Sequence, residues 1–175
     1  MDGIWHSPRY LKSTFPRDYQ ADPEVGRTFV LIDMQEKFLE YLKPSGARRL
    51  ITSQKTVLDY CRRRNLPVAV LRYDLCGKTI AELSREIKQL KRTEQITKTC
   101  DSGFTGTDLD ALLRIWGTIE TYLMGVNANF CVESTGKDAK NLGYQIITAD
   151  CLIANYDSCK EKKDRWFKRK GIYLR

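Results

Sequence analysis

Five short runs of β-branched and aliphatic residues punctuate the chain: Thr28 to Ile32, Pro67 to Tyr73, Gln95 to Lys98, Ile119 to Met124 and Tyr144 to Ala149. The first, Thr-Phe-Val-Leu-Ile, has no polar alternation, the pattern of a strand buried on both faces. Between the runs the apolar period changes to that of a helix. After a break at Pro44-Ser-Gly46, residues Leu50, Ile51, Val57, Leu58 and Cys61 share one face, and Asn65-Leu-Pro67 ends that helix. Ile80, Leu83, Ile87 and Leu90 mark another helix. Leu109, Leu112, Leu113 and Trp116 mark a third, opened by Thr107-Asp-Leu-Asp110 with the spacing of a capping box. A helical period also runs from Cys131 to Leu142 and stops at Gly143, and Asp157 to Lys170 reads as a closing helix whose apolar face is Cys159, Trp166 and Phe167.

Strands alternating with helices imply a parallel sheet covered on both faces, because each crossover returns the next strand in the same direction. The expected architecture is α/β, with three layers, α/β/α, around a central, mostly parallel, Rossmann-like sheet. Residues 1–26 carry Pro8, Pro16 and Pro23 among polar and aromatic residues and read as an irregular amino-terminal arm. No linker, repeat or low-complexity tract divides the rest, so residues 1–175 are expected to form a single domain.

In open parallel sheets, ligands bind outside the carboxyl ends of the strands. Three chemically active residues fall at that edge: Asp33 directly after the first strand, Lys98 at the end of the third, and Cys131 at the start of the helix that follows the fourth. Unpaired N–H groups and the positive dipole at a helix start favour a thiolate over a thiol. Each residue also has a plain alternative: Asp33 as a turn cap, Lys98 as a solvated strand end, Cys131 as a small core residue. Gathered on one rim they form a competent set, in which Asp33 accepts the thiol proton, Lys98 stabilises charge and Cys131 attacks a carbonyl carbon. His6, the only histidine, lies in the arm, so a Cys/His or Ser/His pair is a poorer expectation.

The net charge of +8 raises the question of nucleic acid. The basic residues cluster at Arg62 to Arg64, Lys88 to Arg92 and Lys160 to Lys170, interleaved with acids in the manner of solvated helix faces. No nucleic-acid-binding signature accompanies them, and nucleic acid is not an expected partner. Six cysteines without a Cys-x-x-Cys spacing read as free thiols. No apolar run reaches transmembrane length and the amino terminus lacks the order of a signal peptide, so a cytoplasmic protein without membrane contact is expected.

Three segments together carry a family resemblance. They are Leu31-Ile-Asp-Met-Gln-Glu-Lys-Phe38, Lys98-Thr-Cys-Asp-Ser-Gly-Phe104 with Thr107 and Leu109, and Gly125-Val-Asn-Ala-Asn-Phe-Cys-Val132 with Thr135, Asp138, Ala139, Gly143, Tyr144 and Asp150. In this order they resemble the isochorismatase-like cysteine hydrolases, which include nicotinamidases and carbamoyl-amine amidases. The resemblance covers about Thr28 to Ala154. It implies an Asp-Lys-Cys triad at Asp33, Lys98 and Cys131, a non-proline cis peptide at Val126–Asn127, and an oxyanion hole from the backbone N–H groups of Asn127 and Cys131. It also places Phe38 and Phe104 at positions that wall the substrate pocket, with ordinary core packing as their alternative.

The departures narrow the expected substrate. Nicotinamidases hold a metal with an acid and histidines after the second strand, whereas Arg72 to Gly77 offers Asp74 and Cys76 but no histidine. No metal or cofactor is expected. Ala128 stands where the family often has threonine, without removal of a backbone donor. The resemblance implies cleavage of a C–N bond in a small amide, imide or ureido compound through a thioester, by a protein that forms homo-oligomers. Two other readings stay open: an inactive scaffold module that uses its basic helices, and a redox sensor at Cys131 resolved by Cys100 or Cys151.

Overall fold

The computed structural model describes residues 25–174; the amino-terminal arm up to Glu24, with His6, lies outside the described residues. Seven strands form one sheet: β1 (Arg27–Ile32), β2 (Val68–Tyr73), β3 (Thr93–Lys98), β4 (Glu120–Val126), β5 (Gln145–Ala149), β6 (Ile153–Ala154) and β7 (Ile172–Leu174). Their order is β3-β2-β1-β4-β5-β7, with β6 pairing to β4 beyond the end of β5, and every pairing is parallel. The helices are α1 (Glu36–Leu39), α2 (Pro44–Arg64), α3 (Ala81–Ile87), α4 (Leu109–Ile115), α5 (Glu133–Asn141) and α6 (Phe167–Lys170).

The central strands send alternate residues to two separate cores, which is what makes three layers. Phe29, Leu31, Val68, Val70, Tyr122 and Met124 pack with α2 and α3 through Leu50, Val57, Leu58, Cys61 and Leu83. Val30, Ile32, Ala69, Leu71 and Leu123 face the other way, onto Leu109 and Leu113 of α4 and Ala139 of α5. Because β1 is covered on both faces, it runs apolar from Phe29 to Ile32, and its buried polar residues, Arg27 and Thr28, are paired with Glu120 and Thr118.

Three local expectations need correction. Pro44 does not break the chain: it opens α2, where its missing N–H costs nothing, so the helix begins well before Leu50. Thr107 and Asp110 do not form a capping box. Thr107 Oγ1 accepts the N–H of Leu109 at 3.3 Å, while Asp110 is drawn to Tyr144 Oη at 2.7 Å and Arg114 Nε at 2.9 Å.

The closing helix over residues 157–170 is absent except for its last turn, α6. Side-chain contacts hold this segment in turns instead. The Glu161 carbonyl accepts from Asn129 Nδ2 at 3.3 Å and Asn155 Nδ2 at 2.9 Å, and Lys163 folds onto the Asp150 and Ile153 carbonyls. Phe167 still reaches the core, and β7 then pairs with β5 as an edge strand. Among the described residues no helix is long and apolar enough to cross a membrane, and all six cysteines are free thiols.

Candidate active site

The carboxyl ends of β1, β3 and β4 meet at one place, and the backbone there is unusual. Asp33 has a φ of 52°, in the left-handed region, and donates its N–H to the Leu71 carbonyl at 3.0 Å. Gly125 has a φ of 144°, and a Cβ at that position would lie 2.1 Å from the Ile32 carbonyl oxygen. Only glycine lets β4 pass so close to the end of β1. The next peptide, Val126–Asn127, is cis. A single π-helical turn, Ala128–Val132, then leads into α5, with both Phe130 and Val132 donating to the Asn127 carbonyl at 3.1 Å. Cys131 is the fourth residue of that turn.

Lys98 is 1% exposed, and all of its polar capacity is used. Its ammonium lies 2.8 Å from Asp33 Oδ2 and donates to the carbonyls of Cys100 (3.1 Å) and Asp101 (3.2 Å). The ring of Tyr73 lies beneath it, 4.4 Å from the nitrogen to the ring centroid. Tyr73 is itself fixed by Gln35, whose amide accepts the Tyr73 N–H at 2.8 Å and donates to the carbonyls of Tyr73 (3.0 Å) and Gly77 (2.7 Å). Asp33 is as deeply buried. It meets Lys98 as a close ion pair, yet among the described residues neither carboxylate oxygen has a hydrogen bond of good geometry, so acceptor capacity is left over in a dry site.

Burial raises the Asp33 carboxyl above the usual carboxylate range, against the opposing charge of Lys98. Burial also pushes the Cys131 thiol up, the Asp33 charge adds to the rise, and Lys98 opposes it. This corrects the expectation of a thiolate at a helix start. Cys131 is 6% exposed, and the cost of burying a charge outweighs the pull of the helix end. Burial thus acts against charge on both groups, and the Asp33 carboxyl keeps spare acceptor capacity.

The two phenylalanines separate. Phe38 sets its edge against Tyr73, with centroids 6.1 Å apart, so it adjoins the ring that carries Lys98. Phe104 stacks on Tyr144, 6.2 Å away, at the entrance to β5, and that packing contact is the ring contact it makes. Asn127 is buried, and its side-chain amide has no partner among the described residues.

Three neighbours of the thiol escaped the sequence. Asp101 brings Oδ1 to 3.7 Å from Cys131 Sγ. Tyr156 packs on Tyr41 at 4.9 Å, and burial, with Cys131, Tyr41 and Asp33 adding to the effect, moves its hydroxyl up to about 12. Thr135 Oγ1 accepts the Gly103 N–H at 2.9 Å and donates to the Cys131 carbonyl at 2.7 Å, tying the loop after β3 to the π-turn. Asp101 and Thr135 stand within the motifs quoted above, but nothing in their spacing shows that a loop folds back over the thiol.

Residues 27–162 match the model of the Isochorismatase domain. Nicotinamidase 3 of Arabidopsis thaliana is 26% identical over 172 residues, covering 84% of this chain and 84% of that protein. Ureidoacrylate amidohydrolase RutB of Caulobacter segnis is 38% identical over 173 residues, covering 74% of this chain and 72% of that protein. Among solved structures, N-carbamoylsarcosine amidase from Thermoplasma acidophilum matches with a TM-score of 0.72 at 26% identity, covering 85% of this chain and 95% of that one.

Proposed function

The chain belongs to the isochorismatase family, and on that premise we propose that it is a cysteine hydrolase of a C–N bond in a small amide, imide or ureido compound. Relatives named as nicotinamidase, amidohydrolase and amidase support the bond class. The observation that carries the reading is the buried ion pair of Asp33 and Lys98 beside the thiol. Such a pair is a poor way to stabilise a fold, because desolvation offsets most of its attraction. It is a good way to keep a buried carboxylate available as a base, because Lys98 opposes the rise that burial imposes on Asp33.

In the proposed reaction Asp33 takes the proton from Cys131 Sγ as the sulfur attacks the carbonyl carbon, so a free thiolate is never required at rest. The backbone N–H groups of Asn127 and Cys131 receive the charge on the carbonyl oxygen. When the tetrahedral adduct collapses, the C–N bond breaks and Asp33 returns its proton to the leaving nitrogen, which departs as ammonia or an amine. Water then loses a proton to Asp33 and attacks the thioester. The acid is released, and Asp33 returns the proton to Cys131. Lys98 stays charged throughout and holds Asp33 in place, and Phe38 walls the substrate. Every step uses groups of this chain.

Ammonia release from a panel of primary amides and ureido compounds, with ring opening to the half-amide acid followed by mass spectrometry for cyclic imides, tests the proposal. Cys131→Ala and Asp33→Asn are each expected to abolish turnover of any accepted compound. Turnover surviving in Cys131→Ala would overturn it.

A further inference from the structure

Asp101 has no task in the reaction just described, yet its carboxylate lies within hydrogen-bonding reach of the nucleophile, 3.7 Å from Cys131 Sγ. Its main chain and side chain do separate things. The carbonyl accepts from Lys98 at 3.2 Å, while Oδ1 lies 3.7 Å from Cys131 Sγ. Among the described residues, Cys131 is the hydrogen-bonding partner of that carboxylate. Asp33 is buried and Asp101 exposed, so the thiol has one carboxylate on its inner side and another toward solvent.

The charges around the thiol can be counted. Those that weigh on Cys131 are Asp33, Lys98 and Asp101. Asp33 and Lys98 cancel as a close pair, which leaves the exposed Asp101 as a net negative charge beside the thiol. The protein as a whole carries +8, so this negative point is set against the general field. Aromatic surface adjoins it: Tyr73, whose ring adjoins Phe38, has Asp101 and Cys131 among the charges acting on its hydroxyl, and Tyr156 has Cys131 and Asp33. An exposed carboxylate beside the thiol suits a cation and repels an anion.

Resting on the hydrolase reading, we propose that Asp101 is the specificity-determining residue of the site, and that it selects small amides bearing an ammonium or guanidinium group near the scissile carbonyl and rejects those bearing a carboxylate there. This sets the chain apart from an enzyme that must seat an acrylate anion, as in the substrate named for the Caulobacter segnis relative.

Matched thiol reagents test this without knowledge of the substrate. The full chain is labelled with 2-aminoethyl, 2-sulfonatoethyl and methyl methanethiosulfonate, which are cationic, anionic and neutral. The rate at Cys131 is read by peptide mass spectrometry, and 2-mercaptoethanol gives the reference ratio for a neutral thiol. The cation-to-anion rate ratio at Cys131 is expected to exceed the reference by about tenfold or more. It should fall to the reference in Asp101→Asn and persist in Asp101→Glu. A wild-type ratio equal to the reference, or one that survives Asp101→Asn, overturns the proposal. The neutral reagent reports on the hydrolase reading instead: if its rate at Cys131 is the same in wild type, Lys98→Met and Asp33→Asn, the triad fails while charge selection is judged on its own ratio.

Discussion

Lys98 ends β3 and Asp33 directly follows β1, strands that are not neighbours, and their side chains meet at 2.8 Å across the end of the strand between them. Tyr73 occupies that end, paired in register with Lys98 and with its ring beneath the ammonium. The ion pair therefore ties three strand ends together under the thiol. Its geometry depends on the register of β1, β2 and β3 rather than on any flexible loop.

Removal of Lys98 should be costly and pH-dependent. Lys98→Met leaves a buried carboxylate without its counter-charge, a change expected to destabilise the fold by about 3–5 kcal/mol near neutral pH. The Asp33 carboxyl is already raised in the folded state, so protonation favours folding: its penalty is present above the folded pKa and is relieved as pH falls through it. Without the lowering effect of Lys98 that window moves to higher pH. Urea denaturation at pH 7.5 and pH 5 should show the deficit of Lys98→Met shrinking at the lower pH. A deficit that is equal or larger at pH 5 would contradict this.

Reactivity and turnover should part company in Asp33→Asn. The negative charge of Asp33 raises the Cys131 thiol and the positive charge of Lys98 lowers it. With the carboxylate neutralised, Cys131 keeps a cation beside it and loses an anion. Its alkylation by iodoacetamide should begin at least about one pH unit lower than in the wild type. Hydrolysis should nevertheless stop, because no group remains to receive the proton. The pH–rate profile of labelling at Cys131 checks this, and slower labelling in Asp33→Asn would count against the charge arrangement.

Gly125 is the point where the backbone leaves no room. Gly125→Ala puts a methyl group 2.1 Å from the Ile32 carbonyl oxygen at a φ that L-residues rarely adopt. A loss of about 2–3 kcal/mol or more is expected, read as a lower urea midpoint. Gly143→Ala is the control: its φ of 95° carries the backbone penalty, but nothing lies near the added atom. Equal losses in the two variants would mean that the contact with Ile32 adds nothing.

Strands β1, β2, β4 and β5 were legible in the sequence because they are short, largely apolar runs; β3 is mostly polar and was legible only from Gln95 onward, and β6 and β7, two and three residues long, were not legible. The placement of Asp33 directly after β1 and of Lys98 at the end of β3 was legible from the strand ends, whereas Cys131 lies beyond β4 in a π-turn that no period announced. Asp101 was not, because a residue in an aperiodic loop gains its position from long-range contacts such as the Gly103–Thr135 hydrogen bond. The state of Cys131 was misread because a helix start describes the local dipole, and burial depends on the whole fold. The closing helix was misread because a period in Trp166 and Phe167 outlasts the helix itself, while Asn129, Asn155 and Lys163 hold the preceding residues in turns.

The central claim is that Cys131 forms the covalent intermediate. The most direct measurement is the intact and peptide mass of the protein after acid quenching during turnover of an accepted amide. The expected result is a mass increase equal to the acyl group, located on the Cys131 peptide, removed by hydroxylamine and absent in Cys131→Ala and Asp33→Asn. Steady hydrolysis with the Cys131 peptide unmodified, or the acyl group on another cysteine, would contradict it.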